Sequence, residues 1–163
     1  MLKDTDNSRV VIVSSLAYKS GVIDFDDFTW KKRKYDKFKA YGDSKLANLL
    51  FMTQLQKKFD SVDSSAISVT AHPGLTGTER QQSIGIGGKL AHWIASPVSK
   101  GCLLQLLAAT GTNVKACEFY GPKYGLIGPP RLHKVKSKFL NGELAKKLWP
   151  FSEELTGVEY GEE

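Results

Sequence analysis

What this sequence has little of narrows it first. Its 163 residues include two cysteines, Cys102 and Cys117, too far apart for a C-x-x-C pair, and three scattered histidines that add no ligand spacing. No metal site is expected from such a set; two reduced thiols in a cytoplasmic protein are. No stretch approaches the ~18 uninterrupted apolar residues that a membrane span requires. Met1 leads into LKDTDNS, which has no apolar core, so no secretory leader is read there. Glycine is plentiful, yet it forms no nucleotide loop. Gly85, Gly87 and Gly88 follow a loop rather than a strand, and Leu90 stands where a GxGxxG fingerprint needs its third glycine. A P-loop fails at the same place, because Ser83 and Leu90 occupy two of its required positions. There is no internal repeat and no linker-like segment.

What is present describes a globular chain. Hydrophobic residues make up 41% and charged residues 25%, enough apolar material for one ordinary core. The net charge of +6 is unevenly placed. KKRKYDKFK, from Lys31 to Lys39, and the stretch from Arg131 to Lys138 are basic, while EELTGVEYGEE at the C-terminus is acidic. No nucleic-acid recognition motif accompanies the basic runs, so they are read as solvated surface and no nucleic-acid partner is expected.

Periodicity then orders the elements. Val10 to Val13 is an unbroken β-branched run ending in Ser14 and Ser15, which predicts a strand buried on both faces of a parallel sheet. Lys19 to Ala40 is polar and irregular, a long surface loop with room for a short strand or turn at Gly21–Phe25. From Tyr41 to Phe59 the apolar positions Leu46, Leu49, Leu50, Met52, Leu55 and Phe59 recur at helical spacing. AISVTA, from Ala66 to Ala71, predicts a second strand stopped by His72–Pro73–Gly74. A short helix is expected around Lys89–Ala95, and another after Ser96 as N-cap with Pro97 at its first position, closed by Gly111. CEFYG predicts a third strand, followed by a glycine- and proline-rich loop over Gly121 to Pro130. A last helix is expected from Gly142 to Leu155. Strands alternating with helices imply an α/β parallel sheet with right-handed crossovers. The first strand, apolar on both faces, calls for a neighbour on each side.

Three segments then converge. In a parallel sheet, ligands sit beyond the carboxyl ends of the strands. Ser14 and Ser15 lie at one such end, Pro73 and Gly74 at the next, and Tyr41 and Lys45 open the helix between them, one turn apart on one face. A hydroxyl, and a phenol beside an ammonium, suit the reduction of a carbonyl by hydride. The alkoxide that forms needs a proton; a phenol with its usual pKa near ~10 is a sluggish acid–base group, and a neighbouring ammonium lowers it toward working pH. Tyr35 and Lys39 share the same spacing but lack apolar periodicity behind them. Ser15 can hold the substrate oxygen by a hydrogen bond, and Ser14 is the weaker serine candidate.

With these residues in view, the chain resembles the short-chain dehydrogenase/reductase family, closest to its retinol-dehydrogenase-like branch. RVVIVSSLAYKSG resembles that family's fifth strand with its catalytic serine. AYGDSKLANLLF resembles its YxxxK helix, HPGLTGTE its PG turn after the sixth strand, and KKLWPFSEELTGV its C-terminal helix. The resemblance implies a partial Rossmann-type, doubly wound α/β fold equivalent to strands five to seven, with residues 1–163 as a single partial domain, the C-terminal catalytic half. It implies catalytic Ser15, Tyr41 and Lys45, and cofactor contacts from Tyr41, Lys45, Pro73, Gly74 and Thr78. The implied cofactor is NADP or NAD, with NADP favoured, and the implied substrate a small carbonyl or alcohol. The family's TGxxxGxG loop, NNAG motif and active-site asparagine are not found in this sequence. Weak cofactor affinity for this chain alone and self-association through an exposed first strand are therefore expected. The alternative is a non-catalytic fragment or interaction module derived from such an enzyme.

Overall fold

The computed structural model describes residues 2–76 and 95–160. The β-branched run forms strand β1, Arg9–Val13, and ISVTA forms β2, Ile67–Ala71, in parallel register with Val11 opposite Val69. Strand β3, Phe119–Pro122, continues the parallel sheet on the far side of β2. A fourth strand, β4, Pro130–His133, returns antiparallel against β3, giving the order β1-β2-β3-β4. β4 begins at Pro130, the last residue of the expected loop, and runs on through residues for which no strand was expected. It is short, exposed and begins with proline, a residue that a sheet accepts at the start of an edge strand because no ladder N–H is needed there. Nothing in the apolar pattern announces it.

Helix α1, Lys37–Ser61, starts four residues before the position that periodicity predicts. The cause is Asp36, whose carboxylate accepts from the backbone N–H of Phe38 and Lys39 at 2.9 and 3.1 Å and caps a polar first turn. Helix α2, Val98–Thr110, is capped by Pro97 rather than by the expected Ser96. Ser96 is drawn into a bridge with Thr76, its N–H donating to Leu75 O, so the carbonyl of Pro97 becomes the first helical acceptor. Gly111 closes α2 as expected. Helix α3, Gly142–Thr156, agrees with its expectation to within a residue and is capped by Asn141. The short helix expected around Lys89–Ala95 lies almost wholly outside the described residues.

The sheet separates two apolar layers. On one side Leu49, Leu50 and Met52 of α1 are fully buried with Tyr18, Phe119 and Leu148. On the other, Val69 and Ala71 of β2 pack against Leu104 and Ala108 of α2. Each fully buried leucine contributes roughly 2 kcal/mol, so α1 is held by packing far more than by intrinsic propensity. Ser68 and Thr70 of β2 are fully buried between these layers, and the Ser68 N–H donates to Gln56 Oε1 of α1 at 2.7 Å.

The segment between β1 and α1 is better anchored than a solvated loop. It holds two 3-10 turns, Leu16–Ser20 and Phe25–Asp27, and no strand at Gly21–Phe25. Phe25 and Phe28 each meet Phe151 of α3 edge-on at 5.2 Å. Asp27 is buried and accepts from the backbone N–H groups of Lys31, Lys32 and Arg33 at 2.7 to 2.9 Å. Those donors, Lys32 first, together with the Arg33 guanidinium, hold its carboxyl below the usual carboxylate range despite burial.

Candidate functional site

The carboxyl end of β1 is joined to α1 by three hydrogen bonds. Ser14 is buried, and its Oγ donates to the carbonyl of Lys45 at 2.9 Å. In return the Lys45 ammonium lies 3.4 Å from the carbonyl oxygen of Val13, and Asn48 Nδ2 donates to that same oxygen at 3.0 Å. Tyr41, Lys45 and Asn48 follow one another around a single face of the helix. The Lys45 ammonium sits 5.4 Å from the centre of the Tyr41 ring. A phenol and an ammonium therefore stand beside each other on the rim of the sheet.

The first turn of α1 reaches this rim because two glycines let backbones touch. A Cβ on Gly21 would lie 2.4 Å from the Gly42 carbonyl oxygen, and one on Gly42 would lie 3.0 Å from the carbonyl of Ala17. The 3-10 turn after β1 thus lies flat against the helix, one residue from Tyr41. Asp43 adds a second tie, accepting from Val22 N at 2.8 Å and from Arg33 Nη2 at 3.2 Å. Both ties fall between Tyr41 and Lys45 in sequence.

The two serines divide their roles. Ser14 is used up in joining strand to helix. Ser15 is half-buried at the N-cap of the following turn, where its Oγ accepts from Ala17 N at 3.3 Å. Its hydroxyl proton is committed to no acceptor among the described residues, so it can be given to a ligand oxygen. Of the two hydroxyls, that of Ser15 is the one with a proton to spare among the described residues.

At the next strand end, Pro73 and Gly74 form the expected turn. Gly74 has φ +76°, and a Cβ there would lie 2.5 Å from both Leu126 O and Pro122 Cγ. His72, buried, organises the turn. Its Nδ1 accepts from Gly74 N at 3.3 Å and its Nε2 donates to Gly125 O at 3.0 Å, which fixes the neutral Nε2–H tautomer. Burial lowers its pKa, and the charges of His133 and Lys19 act the same way against the Gly125 hydrogen bond. The space that glycine leaves here is filled by the β3–β4 hairpin. Thr78 lies outside the described residues.

The residues of the β1 rim fit one end of a dinucleotide. An exposed phenol, a half-buried ammonium and a hydroxyl with a donatable proton suit a ribose and a nicotinamide. A diphosphate seat requires a helix N-terminus directly after a strand, and β1 is followed instead by a 3-10 turn and a long loop. Sequence reasoning missed Asn48 and His72. Asn48 was legible as the next residue on the face of Tyr41 and Lys45. His72 carried no signal beyond preceding the turn that it holds.

Comparison with known proteins finds relatives along nearly the whole chain. No family model matches the chain. Human retinol dehydrogenase 13 is 34% identical over 173 residues, covering 97% of this chain and 48% of its own length. Mouse retinol dehydrogenase 14 is 31% identical, covering 97% of this chain and 47% of its own. A short-chain dehydrogenase/reductase of Armillaria gallica is 31% identical over 91% of this chain. A crystal structure of an uncharacterized protein from Mycobacterium Paratuberculosis superposes with a TM-score of 0.77 at 31% identity, covering 95% of this chain and 52% of that one. The chain spans about half the length of the curated relatives that it matches. Similarity over nearly all of its residues, with the YxxxK helix set at the end of the preceding strand, places this chain in the short-chain dehydrogenase/reductase family.

Proposed function

We propose that the chain carries the proton-transfer part of an oxidoreductase acting on a small carbonyl or alcohol with a nicotinamide dinucleotide. The observation that carries this reading is the placing of the Lys45 ammonium beside the Tyr41 ring at the end of β1. In this reading Ser15 donates its hydroxyl proton to the substrate oxygen and fixes its position. Tyr41 gives a proton to that oxygen as it becomes an alkoxide, and takes it back in the reverse direction. Lys45 stabilises the phenolate that remains. Lys45, Tyr41, Pro73, Gly74 and Thr78 would hold the ribose and nicotinamide end of NADP or NAD. When bound, the nicotinamide supplies or accepts the hydride. Two free thiols among the described residues suit a reducing, cytoplasmic setting.

The test is turnover of the chain with NADPH or NAD, alone and mixed with the N-terminal half of a curated relative. Retinol, for which two relatives are named, is the first alcohol to try, followed by short aldehydes and ketones. Tyr41→Phe is expected to lower kcat by ~100-fold or more with the fold intact, because it removes the transferable proton and little else. Turnover that survives this change, or no turnover in either mixture, would sink the reading.

One observation favours a second reading, that of a non-catalytic interaction module. β1 is an edge strand, and Val13 is 41% exposed. An apolar edge of this kind takes a further strand from another chain. Sedimentation showing dimers or a stable complex with the N-terminal half, without turnover, would select it.

A further inference from the structure

The segment from Lys31 to Lys39, which ends the loop and opens α1, holds five lysines, Lys31, Lys32, Lys34, Lys37 and Lys39, and all five are exposed. None of them forms an ion pair among the described residues. The nearby acids are satisfied by other means. Arg33 alone meets Asp24, Asp27 and Asp43, at 3.7, 3.4 and 3.2 Å. Asp27 takes backbone N–H groups rather than lysine side chains, and Asp36 caps α1. The fold thus spends its carboxylates mainly on ordering this segment: Asp36 shares its field with Lys37 and Lys39, while Lys31, Lys32 and Lys34 have no carboxylate partner in an ion pair among the described residues.

Two aromatic rings stand among those charges. Tyr35 and Phe38 are each 66% exposed, a cost in water that nothing in the packing requires. Tyr35 is held edge-on by Trp30 at 5.9 Å, and Trp30 is itself covered by the Arg33 guanidinium at 3.8 Å. The Lys37 ammonium lies 5.2 Å from the Phe38 ring centre. The rings therefore stand on an anchored loop end, Tyr35, and the first turn of α1, Phe38, and are flanked by lysines.

We propose that this loop is a docking surface for an anionic lipid bilayer. Lysines attract the headgroup charge while their stems lie along the interface, and exposed aromatic rings insert between headgroups. Nucleic acid fits less well. Base stacking uses bare ring faces, and here the Phe38 ring carries an ammonium and the Tyr35 ring is braced by Trp30. The inference is independent of the chemistry proposed at Tyr41, and no residue of that site belongs to the surface.

The test is co-sedimentation of the full chain with vesicles of phosphatidylcholine, with or without about 30 mol% phosphatidylserine. At least ~10-fold more chain is expected on the anionic vesicles, falling by a similar factor as salt rises from about 0.1 to about 0.5 M. Changing all five lysines to glutamine abolishes the difference, and changing them to arginine preserves it, which separates charge from misfolding. Phe38→Ser with Tyr35→Ser lowers binding by several-fold at unchanged charge. Equal binding to both vesicle types overturns the proposal. So does unchanged binding of the glutamine variant, or capture of single-stranded or duplex DNA at concentrations where anionic vesicles bind nothing.

Discussion

The carboxyl ends of β1 and β2 lie side by side and are built in opposite ways. At the end of β2 the polar groups turn inward: both ring nitrogens of His72, and the N–H groups of Gly74 and Leu75, are bonded to the turn or to the β3–β4 hairpin. At the end of β1 one serine is spent on the joint with α1, while Ser15, Tyr41 and Lys45 stay on the rim. One end is a closed brace and the other an open rim. The contrast teaches where to look for chemistry: at the rim, where polar side chains reach the surface, rather than at the brace, whose polar groups are bonded inward.

The strongest way to break the contrast is Gly74→Ala. The new Cβ meets Leu126 O and Pro122 Cγ at a left-handed φ, and a loss of roughly 3 kcal/mol in urea unfolding is expected. A neutral result would mean that the β2 end is not closed. Next comes the pair of serines. Ser14→Ala removes the hydrogen bond that ties β1 to α1 through Lys45 O and opens a small gap at a buried position, and should cost about 1–1.5 kcal/mol. Ser15→Ala removes one long hydrogen bond in a short turn and should cost about 0.5 kcal/mol. Equal costs would erase the division between joint and rim.

The smallest effect is in pH. His72 is neutral in the fold with a lowered pKa, so the unfolded chain binds the proton first. Stability is therefore fully present above the ordinary histidine value near ~6.5 and declines as pH falls from there toward the lower folded value. His72→Gln should flatten that decline in urea midpoints measured across the acid side. An unchanged slope would take His72 out of the brace.

Much of the β1 end was legible before any coordinates, and the β2 brace was not. The spacing of Leu46, Leu49, Leu50 and Met52 fixes which face of α1 is buried, and so the face on which Tyr41 and Lys45 sit. A β-branched run fixes β1, and the serines after it follow. The brace depends on contacts between residues far apart in sequence, such as His72 with Gly125, which no local pattern carries. β4 escaped for the related reason that an exposed edge strand has no apolar alternation to show. The anchored loop after β1 escaped because its order comes from Asp27, one buried carboxylate in a run that reads as polar surface.

The carbonyl of Val13 has a last consequence. Ser8 O and Ser14 N both face β2, so by alternation the backbone groups of Arg9, Val11 and Val13 point to the open side of the sheet. Of these outward acceptors, the last is already occupied by Asn48 and Lys45. An incoming strand can therefore zip along β1 only as far as Val11 before meeting a plug. The same ammonium that stands beside the phenol thus also stops the ladder at the open edge of β1.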